Sequence, residues 1–232
     1  MYAAAIRLNP EYGQALTGLG ALLLTEKRFD DAENLFEKAL SIDPNHATAL
    51  VNLAMIDQAR GDRGKALERL QRVVARNPGF AQAQLNLGSL LASMTQYDQA
   101  IPCFLKAIET RPNMVPAHMN LAFGYSKTGQ WKLAEQRYRI SQRLSPQTAY
   151  AHFGLAKSLS MQQRHEEAVA SYRQAISLGH QKSQAFSGLG YSLKQLGRQN
   201  EAVEACNAAL KLDPKNADAL GVLQESAGGS RD

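Results

Sequence analysis

Asn52, Asn86 and Asn120 stand 34 residues apart. A side-chain amide offers two donors and an acceptor. Three of them at a fixed interval can grip the backbone of an extended chain without reading its side chains. His118 and His152 keep the same interval and raise the question of a metal. A zinc site needs a third or fourth ligand, and none falls at helical spacing from these two, so aromatic packing is the expectation and no metal is expected. Cys103 and Cys206 are the two cysteines, too few for a disulfide framework. A glycine-rich phosphate loop, a G-x-S-x-G elbow, an H-E-x-x-H helix and a C-x-x-C pair are all missing from the sequence. Nothing in it therefore assigns catalysis or a cofactor.

The interval belongs to the whole chain. Pro10, Pro44, Pro78, Pro112 and Pro146 keep a 34-residue step, His180 takes the next place, and Pro214 resumes the series. Leu19, Leu53, Leu87, Leu121, Leu155, Leu189 and Leu223 keep it too, as do Ala32, Ala66, Ala100, Ala134, Ala168 and Ala202. A small residue follows each of the first six leucines: Gly20, Ala54, Gly88, Ala122, Ala156 and Gly190. Within one period, Leu16, Leu19, Gly20 and Leu23 share one helix face, and Ala32, Leu35, Phe36, Ala39 and Leu40 share another. Each period is thus two helices. Asp30 is placed to cap the second, and Pro44 prevents its continuation. One pair cannot bury both apolar faces, so neighbours must stack. Thirteen or fourteen helices and no strand are expected.

This pattern of Leu-small, Ala and Pro at a 34-residue period resembles the tetratricopeptide repeat. The resemblance implies an all-α, right-handed superhelical solenoid of helix-turn-helix repeats. Six full repeats span 13–46, 47–80, 81–114, 115–148, 149–182 and 183–216. Residues 1–12 resemble the second-helix remnant of a preceding repeat, with Tyr2, Ala5 and Pro10 in matching slots. Residues 217–227 resemble a capping helix in which Leu220 and Leu223 cover the last repeat, and 228–232 are expected to be a disordered tail. In the family the concave groove is formed by fixed slots of each repeat. Those slots here hold Asn52, Asn86 and Asn120, a ladder similar to that in the superhelix of O-linked N-acetylglucosamine transferases. Beside them fall Val51, Met55, Leu85, Met119, Phe123, Tyr150, Phe153 and Tyr191, with Lys127, Lys157 and Lys194 further along. The fifth-slot residues, Thr17, Val51, Leu85, Met119, Phe153 and Ser187, do not match the carboxylate clamp of chaperone-binding members.

Two residues break the pattern. Asp57 stands where the other repeats place Leu23, Leu91, Tyr125, Leu159 and Leu193, and a carboxylate exposed at an edge or paired with Arg60, one turn on, is expected. His180 replaces a proline and reads as a loop residue. No apolar run in the sequence approaches the length of a transmembrane span. No basic start leads into a long apolar core, so no secretory signal is read and a cytoplasmic location is expected. The formal net charge of +5 is spread along the chain and does not point to nucleic acid. The reading is a non-catalytic protein-interaction scaffold that binds a peptide or partner segment in its groove. The lysines favour a partner with acidic residues. Two alternatives are kept: a recruiting segment of a larger enzyme such as a glycosyltransferase, and a subunit that self-associates as a homo-oligomer through an uncovered N-terminal face.

Overall fold

The computed structural model describes residues 1–228. Among them are fourteen helices and no strand. The chain forms two compact units, 1–112 and 113–232. The first holds α1 (Tyr2–Leu8), α2 (Gly13–Thr25), α3 (Phe29–Ile42), α4 (Ala47–Ala59), α5 (Arg63–Arg76), α6 (Ala81–Ser93) and α7 (Tyr97–Thr110). The second holds α8 (Val115–Lys127), α9 (Trp131–Leu144), α10 (Ala149–Ser160), α11 (His165–Ser177), α12 (Ser183–Gln195), α13 (Gln199–Leu212) and α14 (Ala217–Gly228). Within each unit every helix packs on its predecessor and successor, α2 on α3 on α4 and α10 on α11 on α12. The expected tail at 228–232 lies, apart from Gly228 at the end of α14, outside the described residues.

The two helices of a pair have different environments. α6 buries eight residues and α7 three, so the first helix of the pair is flanked on several sides while the second shows a broad face to water. The alanine series sits where a pair closes: Ala32, Ala66, Ala100, Ala134, Ala168 and Ala202 are all fully buried. A larger side chain there would hold the helices apart. In α14 the buried pair is Ala219 and Val222, three residues apart on one face. Leu223 packs beside them, but Leu220 is 39% exposed, which corrects its expected place under the cap.

Asp30 does not cap α3. It lies inside the first turn, and the N-cap is Arg28 without a side-chain bond. Asp62 does cap α5, accepting from the Lys65 amide at 3.0 Å. Asn216 accepts from the Ala219 amide at 2.9 Å and donates to Ser183 Oγ at 2.7 Å, tying the start of α14 to α12.

The turn inside each pair needs one left-handed residue. It falls on Lys27, Gly61, Thr95, Gly129, Gln163 and Gly197, a further 34-residue series, with φ between +60° and +85°. Glycine adopts this conformation without penalty, whereas a β-branched residue is strained there. Thr95, at φ +60°, is the least suited of the six. Thr95→Gly is expected to stabilise the 1–112 unit by about 1 kcal/mol, relief of left-handed strain exceeding the entropy glycine adds to the unfolded chain. Gly129→Thr is expected to do the reverse. Urea midpoints of the two variants check both signs.

Candidate functional site

The residues expected to share a groove meet different fates. In the first unit Val51 and Leu85 are buried, at 3% and 7% exposure, which corrects their placing as accessible wall residues. They sit on α4 and α6, helices in which more than half of the residues are buried. Met55 on α4 is 46% exposed, and Asn52 is half-buried. Asn86 does not offer a free amide. Its Oδ1 accepts from Gln82 Nε2 at 2.9 Å, and its Nδ2 is buried without a partner. In the second unit Met119, Asn120 and Phe123 are half-buried on α8, and Lys127 Nζ lies 5.3 Å from the centre of the Phe123 ring. These α8 residues do not line the cleft described next.

Tyr150, Phe153, Lys157, Tyr191 and Lys194 do come together. They line a cleft of about 900 Å³ in the 113–232 unit, walled by α10, α12 and α14. Its aromatic wall is built around a residue that had read as plain loop. The His180 ring stacks on Phe153 with centroids 4.5 Å apart, and Tyr150 meets it edge-on at 6.0 Å. Burial, and then the nearby Lys182, hold His180 below the usual imidazole range, so near neutral pH the ring acts as a neutral aromatic surface. Tyr191, on α12 and 45% exposed, stands edge-on to His165 at 5.8 Å. The cations are Lys157, Lys182 and Lys194, and the carboxylates are Asp218 and Glu225.

The cleft floor follows from a steric rule that runs through the helix pairs. One slot in the second helix of each pair holds Phe36, Leu70, Phe104, Tyr138, Tyr172 and Cys206. A Cβ added to Gly20 or Gly88 would strike the Phe36 or Phe104 ring at 2.6 Å, so these phenylalanines lean back on the first helix of their own pair. A Cβ on Gly154 or Gly188 would strike Tyr138 at 2.2 Å or Tyr172 at 2.5 Å, so the tyrosines lean forward onto the next pair. Tyr2 leans forward on Gly18 in the same way, again at 2.5 Å. Forward-leaning tyrosines take the space an asparagine side chain needs. That is why the series Asn52, Asn86, Asn120 gives way to Gly154 and Gly188.

The consequence for the cleft is that Gly188 leaves a gap filled by Tyr172 from below. Burial and the neighbouring Asp218 carboxylate push the Tyr172 phenol well above its usual range, so it remains a neutral hydroxyl. Tyr138 is raised likewise by burial, with its hydroxyl engaged by Ser126 and Tyr150. The Tyr–Gly pairing was legible in the sequence as a covariation between slots 16 residues apart. The break in the proline series at His180 was the other signal.

The remaining expectations are placed as follows. His118 is buried, and His152 bonds to Gln142 at 3.0 Å and to the Pro146 carbonyl at 2.9 Å. Among the described residues no group of three His, Cys, Asp or Glu is placed to hold a metal ion. Both cysteines are free, and Cys206 is buried against Gly190. Asp57 pairs with Arg69 at 2.9 Å, not with Arg60, which is engaged by Asp30 and Glu33 on α3. No helix among the described residues is long and apolar enough to cross a membrane.

Tetratricopeptide repeat family models match residues 23–90, 81–114, 124–185 and 183–216. No curated protein matches the sequence. Several solved structures share the fold. One, from a functional characterization of Pseudomonas aeruginosa pilF, is 21% identical over 93% of this chain and 98% of that chain, at a TM-score of 0.81. PilW, described as a widely conserved type IV pilus biogenesis factor, is 22% identical over 92% and 99%, at 0.75. YrrB, described as a TPR protein with an unusual peptide-binding site, is 17% identical over 96% and 97%, at 0.56. At these identities the likeness is one of fold.

Proposed function

The chain belongs to the tetratricopeptide repeat family, and from that premise we propose that it is a non-catalytic scaffold that holds an extended segment of a partner protein in the 113–232 cleft. The observation that carries the reading is the joining of an aromatic wall to free cations in one cleft. Phe153, His180, Tyr150 and Tyr191 offer rigid apolar surface, and such aromatic surface is enriched in protein interfaces. Lys157 and Lys182 line the same cleft without an ion-pair partner among the described residues. They favour a segment carrying acidic side chains beside its apolar ones. That YrrB, a protein of the same fold, is described as having a peptide-binding site agrees with this reading. Asn120, on α8 of the same unit, enters as a further contact.

Affinity capture from the cell of origin tests the proposal. Phe153→Ala with Tyr191→Ala is expected to weaken capture of a partner at least tenfold, since two aromatic anchors are removed. Asn120→Ala is expected to cost less, about 0.5–1.5 kcal/mol for the hydrogen bond lost. Full capture by the aromatic double variant, with unchanged circular dichroism, would move the binding surface elsewhere on the chain.

A further inference from the structure

One cation of the cleft already has a carboxylate, and it comes from the chain itself. Lys194 on α12 pairs with Glu225 on α14. The two partners are unequal. The Lys194 side chain is 20% exposed and the Glu225 side chain 71%. A lysine whose side chain is mostly buried gains from a counter-charge at its ammonium. An exposed carboxylate returns to water at little cost. The arrangement therefore favours exchange of one carboxylate for another over loss of both.

Resting on the reading of this cleft as a partner site, we infer that Glu225 is an internal competitor, and that an acidic segment of the partner binds Lys194 by displacing it. The charge of the cleft supports the direction of exchange. Its lining holds three lysines, Lys157, Lys182 and Lys194, against Asp218 and Glu225. Asp218 acts on the Tyr172 phenol at the floor. Release of Glu225 leaves the lysines with a clear positive excess, which an acidic segment neutralises and a neutral one does not. The aromatic wall sits on α10, the loop before α12 and α12 itself, beside these lysines, so one segment can place an aromatic side chain against Phe153 and a carboxylate on Lys194. Partner affinity is then set in part by α14, a helix that supplies no residue to the aromatic wall.

The test uses a fluorescent dodecapeptide pool in which acidic and aromatic positions alternate, and a second pool with Gln and Asn in place of Glu and Asp. Binding is read by anisotropy on the full chain. Glu225→Gln is expected to bind the acidic pool three- to tenfold more tightly and the amide pool unchanged. Glu204→Gln, an exposed change of the same charge on α13, is expected to leave both unchanged. Adding Lys194→Met to Glu225→Gln is expected to abolish the gain. No gain in Glu225→Gln, an equal gain in Glu204→Gln, or a gain shared by the amide pool would each overturn the inference. In those cases, binding that still depends on Phe153 and Tyr191 would leave the cleft as the partner site. Failure of both pools to bind the unaltered chain and every variant would overturn the inference together with the reading of the cleft.

Discussion

Gly154→Asn is expected to destabilise the 113–232 unit by about 3 kcal/mol, and adding Tyr138→Leu is expected to restore most of that loss. The single change extends the asparagine series by one repeat and is conservative by family pattern. It fails on geometry, because the Tyr138 ring lies 2.2 Å from where the new Cβ must go. The clash is with a ring that is 2% exposed and cannot swing into water. The double change recreates a combination the chain already uses, Ala54, Leu70 and Asn86, on top of Ala122, which matches Ala54. Tyr138→Leu alone leaves a cavity and is expected to cost about 2–3 kcal/mol. The hydroxyl contacts of Tyr138 with Ser126 and Tyr150 are lost in both leucine variants, so restoration is not complete. Trp131, the single tryptophan, begins α9 and reports unfolding of this unit in urea. Additive losses in the double variant would refute the interlock, since the effects of directly packed side chains do not add.

The same pair of residues marks what a sequence can and cannot say here. The helices were legible because apolar spacing and the proline, leucine and alanine series repeat in phase, and each series maps to a fixed backbone position. The slot therefore placed Tyr138 and Phe104 alike. Which way each ring leans is a rotamer choice set by the glycine beside it, Gly88 behind Phe104 and Gly154 ahead of Tyr138. Asn86 shows the same gap between slot and side chain. Its slot was read as solvent-facing, while the amide turned to Gln82, one helical turn away. Val51 became interior where neighbouring first helices also touch, α2 with α4, which a single-repeat pattern does not express. His180 was assigned by the proline it replaces, and its role comes from the ring meeting Phe153 across a loop. Lys194 needed α14 in place to show that its charge was already met.

Asp57→Leu combined with Arg69→Leu is expected to stabilise the 1–112 unit by about 1–4 kcal/mol, whereas Asp57→Ala alone is expected to cost about 3 kcal/mol. Asp57 is 6% exposed. Arg69 Nε approaches its Oδ2 to 2.9 Å, but the contact lacks the alignment of a hydrogen bond and leaves that oxygen without one. Coulomb attraction thus offsets desolvation only in part, and burial holds the carboxyl above the usual aspartate range despite Arg69. The first pair of the unit shows the apolar solution at the same two slots. Leu23 and Leu35 pack there against a core of Leu16, Phe36 and Leu53. Importing that pair removes two desolvated charges and fills their volume. Removing Asp57 alone leaves Arg69, a quarter exposed, without the carboxylate it pairs with. The pH dependence separates this account from a general gain in hydrophobicity. A carboxyl whose pKa is higher folded than unfolded contributes stability at low pH, and loses it as pH rises through the folded value. The advantage of the double variant should therefore grow on going from about pH 3 to pH 7, because the unaltered chain must ionise Asp57 over that range. Denaturation followed by circular dichroism at both pH values measures it. An advantage equal at the two would mean that Asp57 carries no desolvation strain, and that the Arg69 pair repays its burial in full.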